Sequence, residues 1–66
     1  MNKKNYLLKI YIDTIIQNSL IETEKISESM KILADDKNTE FEILSKINEI
    51  YFEKISKLKL IKEKLK

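Results

Sequence analysis

The sequence predicts an all-α protein, a two-helix antiparallel hairpin, and three observations carry that reading. Apolar residues recur at steps of three and four through both halves of the 66-residue chain, the spacing of one helix face. Gly and Pro are absent, which argues against tight turns, β-hairpins and glycine-built phosphate loops. The helical pattern lapses on both sides together at one place, Ala34-Asp35-Asp36-Lys37-Asn38-Thr39, near the middle of the chain.

The first helix is expected from about residue 3 to residue 34. Its seam steps through Ile12, Ile16, Ser19, Thr23, Ile26, Met30 and Leu33, with Leu8, Ile15 and Leu20 widening the stripe. Ser19 and Thr23 put small polar groups where aliphatics would bury more area. Such positions are either a tolerated weak patch or a place of close helix approach, or else a device that selects register or partner.

The turn is expected over 35–39, where Asp and Asn side chains compete with the helix for backbone hydrogen bonds. Thr39-Glu40-Phe41-Glu42 reads as a capping box. In that motif the Thr39 hydroxyl takes the amide of residue 42 and Glu42 reaches back to the amide of residue 39.

The second helix is expected over about 40–64. Its seam runs through Leu44, Ile47, Tyr51, Leu58, Ile61 and Leu65, and Lys54 falls on that line with Ile50 and Ile55 beside it. The Lys54 stem can lie along the core edge while its ammonium reaches water. The expected core of the hairpin and its dimer is therefore Leu8, Ile12, Ile15, Ile16, Ile26, Met30, Leu33, Leu44, Ile47, Tyr51, Ile55, Leu58, Ile61 and Leu65. Glu42–Lys46 and Glu53–Lys57 are oriented as i,i+4 ion pairs.

More apolar surface remains than one hairpin can bury. Leu7, Ile10, Ile21 and Ile32 fall roughly 120–180° from the first seam at ~100° per residue. Phe41, Phe52 and Leu60 lie off the second seam. Leu7, Ile10, Ile21, Phe41, Phe52 and Leu60 are the expected partner contacts, and a chain of this length is near the lower limit for folding alone. Association into a homodimeric four-helix bundle or coiled-coil assembly is the expectation.

Charge is laid out in blocks. Residues 1–12 carry three Lys and no acid, residues 13–53 four Lys and ten acids, and residues 54–66 six Lys and one Glu, or +3, −6 and +5. A hairpin gathers the two basic blocks at one end and leaves the turn end acidic. Two hairpins packed antiparallel would set each basic end beside an acidic one, whereas a parallel pair would oppose like charges.

Catalytic and cofactor chemistry finds no footing. His and Cys are absent, which removes the commonest general base, metal ligands and disulfides. The acids around Asp35 and Asp36 lack the ligand order, the glycine and the terminal Glu of a calcium loop. Glu49 and Glu53 lie one turn apart on a solvated face, and a bare hairpin offers no pocket in which a general acid could work. The expectation is no enzyme, no cofactor and no metal site. All thirteen cations are Lys, a bias of AT-rich genes such as those of low-GC bacteria and their phages. Nucleic acid is the alternative partner, met by the terminal lysines with Tyr6 and Tyr11. The missing Arg removes the bidentate fork that phosphate and base recognition favours. Lys9 and Asp13 interrupt the only N-terminal apolar run, so neither a signal peptide nor a spanning helix is expected, membrane contact is not favoured, and the location is read as cytoplasmic.

In length, central turn and expected antiparallel dimer the chain resembles the RNA-organising four-helix-bundle proteins of the Rop type. In length, and in an aromatic just after the turn at Phe41, it is similar to the small needle-subunit chaperones of type III secretion. Ser45-Lys46-Ile47-Asn48-Glu49 stands nearest to the Ser-Gln-x-Leu-Asp motif of the sporulation aspartyl-phosphate phosphatases, but lacks the Gln and misplaces the acid. These are likenesses of architecture and carry no functional residue across. The function expected is a non-enzymatic interaction module that regulates, chaperones or inhibits a protein partner.

Overall fold

A computed structural model describes residues 3–33 and 39–65. Two helices make up the fold, α1 (Lys3–Leu33) and α2 (Thr39–Glu63). They pack side by side in opposite directions, in a body with extents of 52 × 15 × 10 Å. Residues 34–38, which hold the expected turn, lie outside the described residues.

The helices start and stop close to where patterning places them. α2 opens at Thr39 itself, one residue before the expected start. Thr39 thus stands at the start of α2 with Glu42 in its first turn, and the residue before it lies outside the described residues. At the other end the amides of Lys64 and Leu65 bond to the carbonyls of Ile61 and Lys62 at 3.1 and 3.0 Å. These i→i−3 bonds tighten the last turn and occupy carbonyls that the helix leaves without partners.

The core of the hairpin is formed by Ile12 and Ile16 of α1 against Ile55 of α2, with Leu20, Leu58 and Leu65 packed around them. Ile26 is buried nearer the turn. Ser19, at 3% exposure, lies deeper than any aliphatic, and Thr23, at 5%, deeper than all but Ile55. Their small side chains leave room for the facing helix. The Thr23 hydroxyl donates to the Leu20 carbonyl at 2.7 Å, so its burial leaves no polar group wanting.

The seam of α2 differs from the one expected. Leu44, Tyr51, Leu58 and Leu65 face α1, but between them stand Asn48, Ile55 and Lys62 rather than Ile47, Lys54 and Ile61. Ile47 and Ile61 are exposed. The two alternatives share Leu44, Tyr51, Leu58 and Leu65 and differ by one residue at each position between them, about 50° of rotation of the whole helix at ~100° per residue. The sequence has more apolar groups on the rejected side, yet that side would bury Lys54 in the middle of the hairpin, where its ammonium would be cut off from water. Ile55 takes the middle instead, and the polar residues Asn48 and Lys62 flank it on either side along the helix.

Lys62 meets its partner at the terminal end of the hairpin. Its Nζ donates to Asp13 Oδ1 at 2.6 Å. With Lys62 level with Asp13, antiparallel register brings Leu65 level with Ile10, and the first two turns of α1 project beyond it. That explains Leu8, which has the right angle for the seam but is exposed. Of the other expected core residues, Ile15, Met30, Leu33, Leu44, Tyr51, Leu58 and Leu65 are half-buried.

Candidate functional site

Because α2 turns Ile55 inward, it turns a second stripe outward. Glu40, Ile43, Ile47, Ile50, Lys54, Lys57, Ile61 and Lys64 follow one another at steps of three and four, and every one of them is exposed. The seam beside it is half-buried or buried throughout. Ile50 is 63% exposed and Ile43 52%. The helix thus carries two neighbouring heptad-like stripes, one spent on α1 and one that no other described helix covers.

Lys54 lies near the middle of the outward stripe. Its ammonium is 6.0 Å from the centre of the Tyr51 ring. Both residues line an open groove with Ile15, Asn18, Ser19, Ile21 and Glu22 of α1. The outward stripe and this flank of α1 therefore belong to the same broad face of the hairpin. Surface ion pairs lie on and beside it, Lys57 to Glu53 at 3.8 Å as patterned and Lys25 to Glu22 at 3.7 Å. Both are well exposed and contribute little to stability.

The residues expected to meet a partner are not gathered in one patch. Leu7 and Ile10 stand on the projecting end of α1, Ile21 farther along it, and Phe52 and Leu60 on α2, all exposed. Phe41 is half-buried. Tyr6 and Leu8 add to the apolar surface of the projecting turns, and Tyr11 is exposed just behind them. The basic end carries a separate groove lined by Lys9, Lys59, Lys62, Glu63 and Leu65. Lys62 is already engaged there by Asp13, which leaves two lysines facing the groove beside a glutamate.

Asn48 is the seam residue that pattern reading missed. Its Oδ1 is buried with no hydrogen-bond partner among the described residues. The signal that would have found Asn48 and Lys62 was Lys54, since a lysine at mid-seam marks the alternative rotation as the better one.

No group of three acids, histidines or cysteines that could hold a metal ion occurs among the described residues. No described helix is long and apolar enough to cross a membrane. The fold defines a class, the two-helix α-hairpins. No protein-family model matches the chain, and neither does any curated protein or solved structure.

Proposed function

We propose that this chain is a non-enzymatic helical interaction module, which associates with itself and regulates, chaperones or inhibits a protein partner. One observation carries the reading. The hairpin exposes 5459 Å² at a mass of 7.9 kDa, where a compact monomer of that mass exposes roughly 4,400 Å². The excess is of the order of the ~800 Å² that each side gives to a standard protein interface. Much of the exposed surface is aliphatic and aromatic, on the outward stripe of α2 and on the projecting turns of α1. A foreign helix or groove would meet Leu7, Ile10 and Tyr11, which are exposed toward the terminal end of α1.

A nucleic-acid role for the lysines at the terminal end is the second reading, favoured by the groove between Lys9 and Lys59. The two readings part on salt. Capture from the native host with the tagged chain, followed by mass spectrometry, is repeated at low and moderate salt and with Leu7→Asp and Phe52→Ala. A protein held at moderate salt and lost from either variant supports the interaction module. Nucleic acid released between low and moderate salt, and indifferent to both substitutions, replaces it with the second reading.

A further inference from the structure

We propose that the outward stripe of α2 is the docking surface for α2 of a second copy of this chain, laid antiparallel with the two Phe52 residues level. This deepens the proposed interaction role by naming one occupant of one face. The stripe itself supplies the argument. Read outward from Phe52, its members fall at equal distances on either side: Ile50 and Lys54, Ile47 and Lys57, Ile43 and Ile61, Glu40 and Lys64. An antiparallel copy centred on Phe52 therefore meets the stripe position for position.

The chemistry of those pairs is complementary. Glu40 of each copy faces Lys64 of the other, so both ends are closed by opposite charges. Ile43 faces Ile61, apolar on apolar. Ile47 and Ile50 face Lys57 and Lys54, whose methylene stems cover the isoleucines while the ammonium groups reach water at the rim. In a parallel dimer every residue would instead face itself. Lys54, Lys57, Lys64 and Glu40 would each oppose a like charge across the contact, and the arrangement would suppress that register. The block charges of the whole chain point the same way, because the antiparallel copy sets its acidic turn end beside the basic terminal end.

The rotation that buries Ile55 and keeps Lys54 in water also leaves Ile47 and Ile61 outside the hairpin core. They face outward, on the same broad side as the groove at Tyr51 and Lys54. In an antiparallel dimer about an axis through Phe52, α1 of each copy also lies beside α1 of the other, which closes a four-helix bundle.

The chain has no cysteine, so single thiols report cleanly. Glu40→Cys and Lys64→Cys variants are each treated with a short bis-maleimide, alone and as an equimolar mixture, after circular dichroism shows that helix content is kept. The expected result is a covalent dimer from the mixture and none from either variant alone. Cross-linking of either variant alone means a parallel contact and overturns the proposal. So does a chain that sediments as a monomer at every concentration, and in that case partner capture by the projecting turns of α1 still decides the interaction role separately. A second pair of variants tests the facing residues. Ile50→Glu is expected to keep the dimer, because it faces Lys54 of the other copy, and Ile50→Lys is expected to raise the dissociation constant about tenfold or more. Equal effects of the two overturn the pairing.

Discussion

Lys62 and Asp13, 49 residues apart in sequence, are joined by a 2.6 Å hydrogen bond that ties the last turns of α2 to the first half of α1. Both side chains remain substantially exposed, at 39% and 50%. The contact sets register more than it supplies stability. Sliding α2 by one turn would break this pair and take Ile55 away from Ile12 and Ile16 together.

Asp13→Asn is accordingly expected to cost no more than about 1 kcal/mol, since a half-exposed pair is screened by solvent. The loss should shrink further in high salt. Urea denaturation of Asp13→Asn, Lys62→Met and the double variant measures the coupling. A coupling above about 3 kcal/mol would mean a buried pair and contradict the exposure of both groups.

Ile55→Ala and Ile50→Ala separate the inner seam from the outer stripe. Ile55 is 4% exposed and touches the core of the single hairpin. Its truncation should cost about 2–4 kcal/mol at every protein concentration. Ile50→Ala should leave the dilute hairpin within about 0.5 kcal/mol of the parent, as surface changes usually do, and should weaken association instead. A large effect of Ile50→Ala in dilute solution would place that side chain in the intramolecular core.

Folding linked to self-association makes the melting temperature depend on concentration. The unmodified chain is expected to melt higher as it is concentrated, with a sedimenting mass that rises in parallel. A melt independent of concentration together with a monomer mass would count against association.

Asn48→Leu is expected to stabilise the protein by about 1–3 kcal/mol, because it removes a buried acceptor that has no hydrogen-bond partner among the described residues. A single polar residue on a helical seam also selects register and oligomeric state at a cost in stability. The more stable variant should therefore populate additional oligomers in native mass spectrometry. Destabilisation by Asn48→Leu would mean that the amide is satisfied in solution.

The sequence by itself determined that this is an α-protein with one break, because the three-and-four spacing and the absence of Gly and Pro are local properties of each half. It also determined the seam of α1. There Ile12, Ile16 and Ile26 offer one line only, and the small residues Ser19 and Thr23 continue it. The rotation of α2 was decided only by the tertiary structure. Its apolar arc is wider than one contact, and Leu44, Tyr51, Leu58 and Leu65 belong equally to a seam through Ile47 and Ile61 or to one through Asn48, Ile55 and Lys62. Periodicity cannot choose between lines one residue apart. The choice depends on which side chains end up in the middle of the hairpin, where Ile55 can be buried and Lys54 cannot, and on Asp13 being in reach of Lys62. Both are contacts between residues far apart in the chain, and they turn a row of isoleucines outward.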